Sequence, residues 1–182
     1  MNIIPTAFKG LVVLEPKVFG DSRGYFMESY SARTLTQLGL AADFVQDNQS
    51  FSTAGVVRGL HYQNAPYAQT KLVRVLTGAI LDVVVDLRKE EPTFGKWFSV
   101  ELSAENKKQL YVPRGFAHGF AVLSETTEIF YKCDNYYNKE SEGGLYFNDP
   151  GIGIDWRLPM KDVILSDKDK VNPLLKDATY FF

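Results

Sequence analysis

The chain has 182 residues, of which 45% are apolar and 23% charged, and its 20 basic and 22 acidic side chains give a net charge of −2. This composition predicts one globular domain over residues 1–182 and argues against nucleic-acid binding through many phosphate contacts. No segment approaches the roughly 18 apolar residues of a membrane-spanning helix or has the pattern of a secretory signal, so we expect a cytoplasmic protein.

Short strands separated by turn residues follow one another along the chain. Aromatic residues, 14% of the total, favour strands, and a spacing of about ten residues with glycine turns is typical of a sandwich or barrel. In the strand predicted over residues 79–87, Asp82, Val84 and Asp86 share one face. We therefore predict an all-β domain of the jelly-roll type. The other predicted strands cover residues 24–30, 56–62, 71–76, 96–102, 116–123 and 126–132.

Two short helices are predicted at the edges of this domain. Ser31 has the side chain of an N-cap, and the helix after it would carry Leu35 and end at Gly39. A second helix would begin at Ser166, because Asp169 follows it at the spacing of a capping box.

The counts of cysteine and histidine limit the possible chemistry. A single cysteine, Cys133, cannot form an internal disulfide or a cysteine-based zinc site. Two histidines, His61 and His118, cannot supply the three or four clustered imidazoles that hold the metal in many small barrel enzymes. We therefore expect no metal and a separate task for each histidine.

Each candidate residue also has a structural interpretation. His61 and His118 could be hydrogen-bonded core histidines. Strand alternation puts His61 on the face of Gly59 and opposite to Arg58, whereas His118 lies among two glycines and two aromatic residues. Lys71 falls on the apolar face of Val73, where an unpaired ammonium is costly, unless it reaches water at the strand end. Tyr131 could simply pack within its strand.

Anion binding would depend on side chains, because the sequence has no glycine-rich phosphate loop. Arg23, Arg58, Arg74 and Lys71 are available, and arginine suits bidentate contact with phosphate. Surface ion pairs are the alternative role for these residues.

Six separated motifs occur in an order that identifies a family. They are PKVFGDSRG (16–24), FVQDN (44–48), RGLHYQ (58–63), AQTKLV (68–73), PRGFAHGF (113–120) and LSDKD (165–169). Together they resemble the dTDP-4-dehydrorhamnose 3,5-epimerase family over about residues 5–175. The resemblance implies a cupin-type jelly roll that works as a homodimer without metal or cofactor. It also implies conversion of dTDP-4-dehydro-6-deoxy-D-glucose to dTDP-4-dehydro-L-rhamnose.

The same resemblance assigns roles to individual residues. It implies that His61 is the base, that Asp169 orients its imidazole, that Lys71 lies at the enolate oxygen and that Tyr131 is the acid. In this family the N-terminal strands are exchanged between subunits, which would let Arg23 and Glu28 serve the partner's site. Tyr136 would stack on thymine. The full set of substrate-binding residues implied by the resemblance is Arg23, Glu28, Gln46, Asp47, Asn48, Arg58, Lys71, His118, Tyr136, Glu142 and Lys168.

Three other functions remain open from the sequence. A relative that inverts only C3 would use the same base and lysine. A sugar-nucleotide-binding protein without turnover could dispense with His61, Lys71 and Tyr131. A metal-dependent cupin oxygenase would need His61, His118 and one carboxylate as a facial set of ligands.

Overall fold

Two antiparallel sheets packed face to face form the body of the protein. The computed structural model describes residues 1–180 and 182. One sheet has six strands in the spatial order β1 (Asn2–Pro5), β2 (Val12–Glu15), β10 (Gln109–Val112), β7 (Lys71–Thr77), β12 (Thr126–Cys133) and β5 (Gln46–Thr53). The other has five, in the order β13 (Glu142–Gly144), β6 (Val57–Gln63), β11 (Phe116–Val122), β8 (Ala79–Asp86) and β9 (Trp97–Ser103). The predicted all-β jelly roll is confirmed.

Side-chain alternation on β8 divides the interior from the outer face of its sheet. Val84 packs in the core between the sheets, together with Val73 of β7 and Ile129 of β12. Leu81 and Val83 point the other way. The predicted alternation of this strand is thus correct, and Asp82 points into the space between the sheets. Because β8 is buried on both faces, its sequence is almost continuously apolar.

The outer faces of the two sheets are also covered. The chain that follows β13 lays Leu145, Phe147 and Trp156 over the five-stranded sheet. On the six-stranded sheet, Leu35 of helix α1 (Ala32–Gln37) packs against Leu72. The described residues contain no helix that is both long and apolar enough to cross a membrane.

Both predicted helix starts are present. Ser31 accepts a hydrogen bond from the Thr34 amide, and Gly39 follows with a φ of +75°. Ser166 accepts from the Asp169 amide, but its helix, α2 (Asp167–Lys170), is a single turn. Three 3₁₀ turns lie at Lys139–Ser141, Met160–Asp162 and Leu175–Asp177.

One hairpin stands apart from both sheets. Its strands, β3 (Val18–Asp21) and β4 (Gly24–Met27), pair only with each other in the part of the chain that the structure describes. The strand predicted over residues 24–30 was therefore too long, since β4 ends at Met27. Phe19 and Phe26 are 53% and 71% exposed. An isolated hairpin with exposed aromatics is marginally stable by itself and indicates a contact surface.

Candidate active site

A cleft opens at one end of the space between the sheets, above the apolar core. Its main part has a volume of about 470 Å³, and an adjoining lobe has about 360 Å³. Both parts are lined by His61, Lys71 and Tyr131, which come from β6, β7 and β12. The residues predicted to carry chemistry therefore meet in one place, although they come from three strands in two sheets.

His61 and Asp169 form a hydrogen-bonded pair at the wall of the cleft. His61 Nε2 lies 2.6 Å from Asp169 Oδ1, and the two side chains are 32% and 3% exposed. Asp169 Oδ2 also accepts from the Gly59 amide at 3.4 Å. Burial alone would raise the pKa of Asp169, but the hydrogen bond and charge of His61 outweigh it and lower that pKa. The carboxylate therefore stays ionised and fixes the imidazole, leaving Nδ1 for the cleft.

Asp169 combines helix capping with this contact. Its backbone amide donates to Ser166 Oγ at 3.1 Å, while its carboxylate binds His61. The capping interpretation of the sequence and the functional one are therefore both correct, because they use different atoms of the same residue.

The alternation predicted for β6 fails beside His61. The register with β11 pairs His118 with His61 and Phe120 with Arg58, so three steps on β6 oppose two on β11. This bulge brings Arg58 and His61 to the same cleft, although simple alternation places them on opposite faces. The strands also touch here, since a Cβ on Gly119 would lie 2.6 Å from the Arg58 carbonyl oxygen. Glycine is required at this contact.

Lys71 carries a positive charge into the interior. Within residues 1–180 and 182, its ammonium has no hydrogen bond or ion pair. Burial lowers the pKa of Lys71, an effect that electrostatic interactions with Cys133, Asp82 and Glu142 oppose. A cation without a direct partner is costly to bury, so its presence at a cleft indicates a role toward a ligand.

Tyr131 lies across the same cleft. It packs against the edge of the interior core. Burial raises the pKa of its phenol, and the charge of Arg58 opposes this only in part. The phenol therefore remains protonated and can act as a proton donor. Arg58 itself donates to Ser52 Oγ at 3.0 Å and to the Phe51 carbonyl at 3.1 Å, which holds its guanidinium at the rim.

His118 forms a second histidine–carboxylate pair at the floor of the cleft. Its Nε2 lies 2.8 Å from Asp82 Oδ1, and the side chains are 8% and 0% exposed. The two histidines thus bind separate carboxylates. Among the described residues, no group of three or more His, Cys, Asp or Glu side chains is placed to hold a metal ion.

Residues of β5, β13 and α2 complete the walls. Gln46 and Asn48 line the adjoining lobe, whereas Asp47 points to the outer face and pairs with Lys132 at 2.9 Å. Glu142 forms an ion pair with Lys168 and accepts from Tyr137 Oη at 3.0 Å. Burial would raise the pKa of Glu142, but these hydrogen bonds lower it. The predicted residues Gln46, Asn48, Glu142 and Lys168 are thus brought to the cleft.

Four residues singled out from the sequence lie elsewhere in the single chain. Arg23 is on the separate hairpin, where it pairs with Asp21. Glu28 accepts from Thr34 Oγ1 at 3.0 Å. Arg74 stacks on Phe130 at the outer face of its sheet, so the sequence-based suggestion that it could join the anion site is wrong for this chain alone. Tyr136, 63% exposed, does not line either part of the cleft.

Sequence reasoning missed two polar groups of the site. The family resemblance assigns no role to Tyr137, yet this residue lines the adjoining lobe. Asp82 was placed on the correct face of its strand, but nothing linked it to His118. The signal was available, because a carboxylate on the interior face of a buried strand needs a partner.

Comparisons with known proteins show the family to which the chain belongs. The family model described as dTDP-4-dehydrorhamnose 3,5-epimerase matches residues 5–177. A Shigella flexneri protein of that name is 53% identical over 182 residues, which is 100% of this chain and 99% of that protein.

Two crystal structures extend the likeness to the fold. The dTDP-4-dehydrorhamnose 3,5-epimerase of Elizabethkingia anophelis has a TM-score of 0.94 and 56% identity, over 97% of each chain. The Legionella pneumophila dTDP-6-deoxy-D-glucose-3,5-epimerase, solved with dTDP-4-keto-L-rhamnose, has a TM-score of 0.93 and 47% identity, over 100% of this chain and 98% of that one. The chain therefore belongs to the dTDP-4-dehydrorhamnose 3,5-epimerase family.

Proposed function

We propose that the cleft binds dTDP-4-dehydro-6-deoxy-D-glucose and inverts it at C3 and C5 to give dTDP-4-dehydro-L-rhamnose. The observation that carries this proposal is the pair of His61 with the buried Asp169 carboxylate, which faces the same cleft as Lys71 and Tyr131. Together these groups supply a base from one sheet and a cation and an acid from the facing sheet. The family's relatives with about 50% identity are named as 3,5-epimerases, so inversion at C3 alone is not favoured.

The chemistry follows from the C4 ketone of the substrate. C3 and C5 both neighbour that carbonyl, so removal of a proton from either carbon gives an enolate. His61 Nδ1 would accept the proton, since Asp169 occupies Nε2 and stabilises the imidazolium that forms. Lys71 would stabilise negative charge on the enolate oxygen. Tyr131 would return a proton from the opposite side, which inverts the centre.

The diphosphate and the thymine of the substrate would lie toward the rim of the cleft. Arg58 and Lys168 offer positive charge beside the main part of the cleft. Gln46 and Asn48 offer amides in the adjoining lobe, and Tyr136 offers an exposed ring nearby for thymine. The amide of Tyr137, next in the chain, donates to Gln46 Oε1 at 3.0 Å. His118 would contact the sugar, and Asp47 would contribute through its backbone.

Incorporation of deuterium tests this function directly. The protein is incubated with dTDP-4-dehydro-6-deoxy-D-glucose in deuterated water, and NMR follows C3 and C5. Deuterium at both carbons, with the L-rhamnose-type product trapped by a reductase, is the expected result. Deuterium at C3 alone would contradict the proposal and show that the protein is a mono-epimerase. Bound nucleotide without any label would indicate a binding protein.

Tyr131→Phe should separate the two halves of the reaction. The substitution keeps the ring in place and removes only the proton donor, so abstraction by His61 should continue while inversion at C5 slows by about 10²-fold or more. The readout is the rate of inversion at C5 relative to loss of protium from the substrate. A fall of equal size in both rates would contradict the role of Tyr131 as acid.

We also propose that the protein acts as a homodimer. The exposed hairpin of β3 and β4 lacks a partner strand among the described residues and carries Arg23, which is 88% exposed. Packing on a second copy would cover its aromatic residues and could place Arg23 and Glu28 at the neighbouring cleft. Residues 1–182 would form one domain of that dimer, and the expected cytoplasmic location could be tested by fractionating cells.

Mixed dimers distinguish this arrangement from a site within one chain. His61→Ala and Arg23→Ala are each expected to be nearly inactive. If Arg23 serves the partner's cleft, a dimer of the two variants has one intact site, so equimolar re-association should restore about a quarter of the parent activity. A monomer by light scattering, or no restoration in verified mixed dimers, would overturn the proposal.

A further inference from the structure

Asp82 is the one buried acid at the cleft that the mechanism above does not use. Its side chain is 0% exposed, and Oδ1 contacts His118 Nε2 at 2.8 Å. Oδ2 is buried and has no hydrogen-bond partner among the described residues. A buried carboxylate oxygen left unpaired costs stability and indicates a role beyond packing.

The surroundings of Asp82 give the reason for its position. It lies on the interior face of β8, below the cleft and next to the apolar core. Its negative charge also favours the charged form of Lys71. One carboxylate therefore acts on two residues that face the cleft, His118 through a hydrogen bond and Lys71 through its charge.

We propose that Asp82 is a positioning residue of this active site. Its carboxylate accepts a hydrogen bond from the Nε2–H of His118, which presents the unprotonated Nδ1 of that histidine to a sugar hydroxyl. This inference rests on the proposed function for the identity of the ligand. The geometry requires only that a carboxylate accepts and that a neutral imidazole carries one proton. Nδ1 has no protein partner within the described part of the chain, so it is free to accept from a ligand.

The tautomer can be measured without turnover. The chain has only two histidines, so long-range proton–nitrogen NMR on histidine-labelled protein gives two ring systems, and His118→Gln identifies one of them. In the free enzyme at neutral pH we expect His118 to carry its proton on Nε2. A proton on Nδ1 alone, or on both nitrogens, would overturn the proposal. This result does not depend on whether the epimerase assignment holds.

Asp82→Asn tests the consequence for the reaction. Its amide can donate to Nε2 and so reverse the tautomer of His118. We expect kcat to fall about 10- to 100-fold while the Kd for dTDP changes less than about threefold. An unchanged kcat with a reversed tautomer would show that the tautomer has no role in the reaction and overturn the proposal.

Asp86→Asn is the matched control for a loss of packing. Asp86 lies on the same strand and is equally buried, but it binds Arg88 and Thr93 away from the cleft. This variant should lower Tm and leave kcat unchanged. If both variants lowered kcat only in proportion to their loss of folded protein, Asp82 would be structural and the proposal wrong.

Discussion

His61→Ala should lower kcat/KM by about 10³-fold or more, the largest loss expected for a single side chain of this cleft. The buried Asp169 carboxylate holds this imidazole, and its other nitrogen is directed to the cleft beside Lys71 and Tyr131. Nucleotide contacts lie on other residues, so the Kd for dTDP should change less than about threefold. Turnover close to the parent rate would refute the base assignment.

His61→Gln separates the loss of a base from a loss of stability. In His61→Ala, the Asp169 carboxylate loses its main partner while it remains 3% exposed, which should lower the free energy of unfolding by about 1–3 kcal/mol. The glutamine amide can still donate to Asp169 but cannot accept a proton. We expect His61→Gln to be as inactive as the alanine variant and more stable, as measured by urea unfolding beside the activity assay.

Lys71→Met should slow epimerisation strongly and stabilise the fold. Methionine fills nearly the same volume without a charge, so the enolate loses its cation and kcat should fall by about 10²- to 10³-fold. Removal of a half-buried ammonium without a direct partner should raise the free energy of unfolding by about 1 kcal/mol at neutral pH. Wild-type activity in this variant, or a clear loss of stability, would contradict the role given to Lys71.

The pH dependence of the stability gained by Lys71→Met provides a control. Burial lowers the pKa of Lys71 in the folded state below its ordinary value of 10.5. Between the lowered pKa and 10.5, the unfolded chain binds more protons than the folded chain, so the wild-type protein gains stability as pH rises. The advantage of Lys71→Met should therefore be largest near neutral pH and shrink as pH approaches 10.5. Lys168→Met, which removes an exposed lysine, should show no such trend.

Periodicity predicted most of the longer strands, but the four-residue β10 (Gln109–Val112) was not predicted, although it is buried on both faces. β8 and β9 were recognised because buried valines, leucines and phenylalanines alternate with other residues. β5 was missed, since its sequence QDNQSFST is polar on both faces. Its interior residues face a polar cleft instead of an apolar core, so the usual hydrophobic signal of a strand is absent there.

The candidate site was predicted mainly by family motifs, and local patterns failed where the structure is irregular. Alternation put Arg58 opposite His61 because no sequence signal locates the bulge between β6 and β11. The capping box correctly predicted the start of α2, yet it did not indicate that the Asp169 carboxylate reaches His61. Contacts between distant segments depend on tertiary packing, which a single sequence does not encode locally.

The sequence separation within the catalytic pair has a consequence for synthesis of the protein. Every strand of the two sheets lies between residues 2 and 144, whereas Asp169 follows His61 by 108 residues. As the chain leaves the ribosome, the strands of both sheets therefore emerge before the Asp169 carboxylate that orients the His61 imidazole. A product that terminates before α2 would contain both sheets and lack the dyad. Catalytic competence is thus acquired only after both sheets have been synthesised.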